Sequence, residues 1–210
     1  MPGRRRQKRT AASKIDATPP WEQRSRDEPE PTTGPYDERD APEDEVERVD
    51  LGALRIPVGE GFDVRVDINE AQQVISATLA GAEGTMQLGV FAAPRNEGIW
   101  DEVRAEIGQS LNQQRKNSAI EHDGPFGTEL RGSVPGEGGR GSVPVRFLGV
   151  DGPRWFLRAM LAGPVAQDDA KATPFLDALR DVVVVRGVDP LPVREPVPLQ
   201  LPDGVELPGQ

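Results

Sequence analysis

The sequence has no cysteine, one histidine and one tyrosine in 210 residues. The missing cysteine excludes disulfides, thiolate zinc sites, iron–sulfur clusters and a cysteine nucleophile, and it fits a reducing cytoplasm. A single histidine, His122, leaves no second imidazole for a zinc site. No apolar run is long enough to span a bilayer. The basic N-terminus is not followed by an apolar stretch of the kind a secretion signal needs, so membrane insertion is not expected and the reading is cytoplasmic. Hydrophobic residues make up 36 % of the chain and aromatics 5 %. That is below the usual globular share, so part of the chain is unable to bury a core.

Charge and proline are what the sequence has in quantity. Residues 1–14 carry six bases and no acid, residues 15–50 carry 13 acids against 4 bases, and the chain as a whole has a net charge of -10. Pro19, Pro20, Pro29, Pro31, Pro35 and Pro42 punctuate this stretch, where apolar residues show no period. Such a segment does not offset its ordering entropy by burial. Residues 1–48 are therefore expected to be a disordered charged tail, residues 49–187 an α+β domain, and residues 188–210 a proline-rich extended C-terminal tail.

Within the domain, Phe62, Val64, Val66 and Ile68 alternate with polar residues, the period of a half-buried strand. Val74–Leu79 reads as the next strand, Gly81–Gly84 as a turn, and Met86, Leu88 and Val90 as a third strand, which suggests an antiparallel meander. After Pro94 the period becomes helical. Ile99, Val103, Ile107 and Leu111, with Trp100 beside them, predict a helix over about 97–116. Strands are expected at 118–123, 127–134, 143–150 and 153–161, with Asp151-Gly152 as a two-residue hairpin turn. Thr173-Pro174 reads as the start of a second helix, a cap followed by proline at the first helical position. Val182–Val185 reads as a buried final strand. After it, Leu191, Val193, Val197, Leu199 and Leu201 suggest a tail laid along the domain. The fold class is α+β, a central antiparallel sheet with two main helices packed on it.

Motifs that carry chemistry are sparse. Gly136-Glu137-Gly138-Gly139-Arg140-Gly141 matches G-x-G-x-x-G, but a strand follows it rather than a helix, so it reads as a hairpin loop and not a dinucleotide site. His122 is flanked by Glu121 and Asp123, whose side chains leave a strand on the opposite face. No catalytic residue, cofactor or metal is expected. Arg4, Arg5, Arg6, Lys8 and Arg9 form an arm able to contact nucleic-acid phosphates through counterion release. Trp100 and Trp155 read as core, Trp100 on the helix face and Trp155 in the sheet beneath it. The alternative is a partner groove rimmed by arginine. In Arg154-Trp155-Phe156-Leu157-Arg158 both strand faces carry a large apolar group. The two arginines are then either buried and paired or part of an open surface.

Several runs resemble an actinobacterial family of unknown function, domain-of-unknown-function family 3710. They are Arg48–Pro57, Ala93-Pro94-Arg95 with Gly98–Arg104, Gly124–Leu130, Arg146–Trp155 and Val183–Gly187. The resemblance covers about 48–203. It implies an actinobacterial cytoplasmic protein with no assigned activity, encoded beside genes for a dUTP pyrophosphatase and an OB-fold protein. The element order also resembles Mog1/PsbP-like domains, which mostly bind partners. The functional expectation is a non-enzymatic protein-interaction module with a surface of Arg95, Trp100, Asp151, Arg154 and Arg158. The alternatives are a small-ligand binder or enzyme linked to nucleotide metabolism, and an accessory nucleic-acid binder using the N-terminal arm.

Overall fold

A computed structural model describes residues 33–202 except 60, 72, 96, 115–118, 137, 139 and 140. Seven strands form one antiparallel sheet: β4 (Asp63–Ile68), β5 (Val74–Gly81), β6 (Gly84–Ala92), β7 (Ile120–Gly124), β8 (Gly127–Pro135), β9 (Ser142–Gly152) and β10 (Trp155–Ala162). Their order is β4-β5-β6-β10-β9-β8-β7. The expected meander is its first half, and β10 returns to pair with both β6 and β9. A smaller sheet joins β1 (Tyr36–Asp37), β11 (Val183–Val184), β3 (Leu54–Pro57) and β2 (Arg48–Asp50) in that order.

Period-two alternation in the central strands gives the large sheet two apolar faces, and both are covered. On one face Leu88, Val90, Leu157 and Leu161 pack with the small sheet's Leu54, Ile56 and Val184 and with Phe175, Leu176 and Leu179 of α2 (Asp169–Arg180). On the other, Leu130, Val145, Phe147 and Phe156 pack with Ile99, Trp100 and Leu111 at and along α1 (Trp100–Gln114). The four-residue spacing of Ile99, Val103, Ile107 and Leu111 is the stripe that α1 turns toward the sheet. The α+β expectation, two helices on an antiparallel sheet, therefore holds.

Four local expectations are corrected. The chain is already in the fold at Tyr36: the Tyr36 and Glu38 amides donate to Val182 O and Val184 O at 2.9 and 3.0 Å. Asp151 and Gly152 lie inside β9, and the hairpin turn is Pro153-Arg154, with Arg154 at φ 69°. Proline before a left-handed residue is the type II pattern. The start of α2 is Asp168, whose carboxylate accepts from the Ala170 and Lys171 amides, so Thr173 and Pro174 fall inside the helix. Trp155 does not lie beneath Trp100. Trp100 stacks on Phe156 at 5.8 Å, whereas Trp155 faces the other core.

Part of the C-terminal segment runs along the large sheet. The Val197 and Leu199 amides donate to Val90 O and Val74 O at 2.9 and 3.1 Å, and both side chains are buried. The glycine-rich loop links β8 to β9, with Pro135 opposite Ser142.

Candidate functional site

Four arginines from distant parts of the chain converge at the end of the sheet where β9 turns into β10. Arg39 follows β1, Arg95 follows β6, Arg154 forms the turn and Arg186 follows β11. With Asp37, Glu38 and Pro153 they line a cleft of about 160 Å³. Of the two acids there, Asp37 is bonded by neutral N–H groups and Glu38 pairs with an arginine outside the cleft. Asp37 accepts from the Trp155 indole at 2.8 Å and from the Arg39 amide at 3.2 Å, and Glu38 accepts from Arg55 at 3.2 Å.

Among the described residues, none of the four cleft guanidiniums forms an ion pair with a carboxylate. Among the described residues Arg186 donates to backbone carbonyls, Nε to Arg154 O and Nη1 to Asp189 O, each at 3.1 Å. Its pKa lies below the ordinary arginine value, first because of burial and then because of the Arg154 charge, which Asp189 opposes. Positive charge thus collects at one point of a chain whose net charge is -10. Arg154 reaches this point from a left-handed backbone, a conformation that costs a side-chain-bearing residue about 1–2 kcal/mol.

Of the five surface residues expected from the sequence, the cleft brings together Arg95 and Arg154. Trp100 is buried, with its indole Nε1 donating to Thr128 O at 2.7 Å. Asp151 caps α1, accepting from the Ile99 and Trp100 amides at 2.8 and 3.2 Å. Arg158 lies part-buried on the α1 face of the sheet, 5.1 Å from the centre of the Phe91 ring. Arg39 and Arg186 were missed. One sits in the stretch read as tail, and the other follows a buried strand with no local mark of function.

His122 is exposed on β7 opposite Glu129. Among the described residues no three of His, Cys, Asp and Glu gather where they could hold a metal. Arg4, Arg5, Arg6, Lys8 and Arg9 lie outside the described residues. Among the described residues no helix is long and apolar enough to cross a membrane.

A family model described as protein of unknown function (DUF3710) matches residues 34–207. The chain belongs to this family. The match confirms the family resemblance read from the sequence and extends it to the β1 region, where Arg39 lies. No curated protein matches the DUF3710 chain. A cyanobacterial PsbP (CyanoP) from Synechocystis is similar at 10 % identity and a TM-score of 0.39, over 66 % of this chain and 92 % of that one. A Bacteroides thetaiotaomicron protein is similar at 10 % identity and a TM-score of 0.37, over 67 % of this chain and 48 % of that one.

Proposed function

We propose that the chain is a non-enzymatic interaction module, and that the cleft of Arg39, Arg95, Arg154 and Arg186 receives the acidic groups of a protein partner. The observation that supports this reading is four converging guanidiniums without a carboxylate partner among the described residues. Guanidinium forks match carboxylate geometry two bonds at a time, so the cleft suits a side-chain or C-terminal carboxylate better than a diffuse charge. The left-handed backbone at Arg154 is the kind of local strain that functional sites hold.

The surrounding acidity has a consequence for selectivity. A partner that is acidic throughout is repelled by the rest of the chain, so recognition favours a short acidic segment on an otherwise neutral or basic surface. The test is titration of the isotopically labelled protein with a short oligoglutamate peptide at low and high salt. Saturable shifts at Arg154, Arg186 and Gly187 that disappear in Arg186→Gln and weaken with salt are expected. Shifts spread over the surface, or unchanged in the variant, would overturn the reading.

A further inference from the structure

Arg158 sits at the middle of the sheet in a setting built from two glycines. Its register partners are Gly89 on β6 and Gly149 on β9. A side chain at Gly149 would enter the Trp100 ring, with the nearest ring atom 2.2 Å from the added carbon. At Gly89 it would press on Phe91 at 3.3 Å. The two bare positions let aromatic rings lie close to the backbone on either side of Arg158. Phe156, stacked with Trp100 and 6.1 Å from Phe91, continues this aromatic floor.

Above it opens a groove of about 110 Å³, walled by Ile99 and Val103 with Phe91 and Phe156. Glu106 and Arg194 also border it, and Arg194 is held at 2.7 Å by both Glu106 and Glu102. Arg158 has no such partner. Among the described residues its guanidinium forms no hydrogen bond or ion pair, and it lies over the Phe91 ring. Burial pulls its pKa below the ordinary value, with no charged group contributing.

A part-buried cation without an anion is costly to hold unless something completes it. Here the missing component has a defined shape: an anionic head beside Arg158 and an apolar remainder against the aromatic floor. An apolar cavity of roughly 150 Å³ accepts a benzene-sized guest, so this smaller groove fits a tail of about four carbons. We propose that the groove binds a small monocarboxylate with a short apolar tail. Arg158 holds its carboxylate through paired hydrogen bonds, and Phe91, Phe156, Ile99 and Val103 enclose its tail. This site is separate from the arginine cleft and stands on different residues.

The probe is isovalerate, titrated into the isotopically labelled full chain, with isovaleramide as a neutral control of the same shape. Saturable amide shifts at Gly89 and Gly149 are expected at about millimolar isovalerate, with isovaleramide at least about tenfold weaker. Arg158→Met, which keeps the length and apolar stem, should abolish the preference for the carboxylate. Equal binding of amide and carboxylate would overturn the proposal. So would the absence of saturable shifts, or shifts confined to Arg154 and Gly187 in the other cleft. If Arg158→Met does not fold, the comparison of the two ligands on the wild-type chain decides.

Discussion

Trp155 Nε1 donates to Asp37 Oδ2 at 2.8 Å, joining the central strand β10 to the first strand of the described chain. The indole is 2 % exposed, so loss of the acceptor strands a buried donor. Asp37→Ala is expected to cost about 1.5–3 kcal/mol, the range for a hydrogen bond to a charged group. Asp37→Asn keeps an oxygen in place and should recover part of it. Urea denaturation of the two variants beside wild type measures both.

That contact also marks what could be read from the residue order. β4 and β6 were legible because apolar residues alternate along them, and β5 because it is a short apolar run ended by a glycine turn. Tyr36–Asp37 was not, because a two-residue strand has no period and is held by Trp155 and β11, more than a hundred positions away. Asp151-Gly152 misled for a related reason. Its local preference is a turn, but its carboxylate meets two free amides at the start of α1, and that capping keeps it in the strand. The candidate cleft was half legible: Arg95 and Arg154 flank the hairpin, whereas Arg39 and Arg186 reach it through the small sheet.

Trp100 packs on the bare backbone of Gly149, which makes Gly149→Ala a sensitive probe of the α1 face. The added methyl cannot be accommodated by a small shift, because Trp100 is also tied to Thr128 O. A loss of about 1–3 kcal/mol is expected, the range for overpacking. Trp100→Leu in the same chain should relieve the clash. The double variant would then be less destabilised than the sum of the two single ones in a denaturation cycle.

Glu129 and Arg146, each 1 % exposed, form a 2.8 Å ion pair beneath the start of α2. Arg131 joins Glu129, and Asp169 accepts from both arginines. Without Glu129, Arg146 and Arg131 share the single, largely exposed carboxylate of Asp169, which compensates the buried Arg146 only in part. Glu129→Ala is therefore expected to cost about 3–5 kcal/mol. Replacing both, Glu129→Leu with Arg146→Met, should be far milder than that truncation. Thermal unfolding of the two variants beside wild type checks the order.

Asp67 accepts from Ser76 Oγ, Thr78 Oγ1 and Gln87 Nε2 at 2.7, 3.0 and 3.0 Å. Burial pushes its carboxyl pKa up, but the three hydrogen bonds together outweigh burial and hold it below the ordinary 3.8. A depressed native pKa means stability that is complete above the unfolded value and lost as pH falls through the folded one. Denaturation midpoints should thus decline below about pH 4, and Asp67→Asn should flatten that decline. An equal slope in both proteins would assign the acid sensitivity to other carboxylates.

Arg154 separates stability from binding. Its φ of 69° suits glycine, and it is the second residue of the Pro153-Arg154 turn, where type II geometry favours glycine. Relief of left-handed strain, about 1–2 kcal/mol, exceeds the added chain entropy of glycine, about 0.5–1 kcal/mol. Arg154→Gly is therefore expected to raise the unfolding free energy slightly while removing one of the four guanidiniums of the cleft. If the cleft receives acidic groups, oligoglutamate binding falls as stability rises, the opposite of what general damage to the fold produces. A variant that gains stability and binds the peptide as well as wild type would show that the arginine at this turn contributes nothing to recognition.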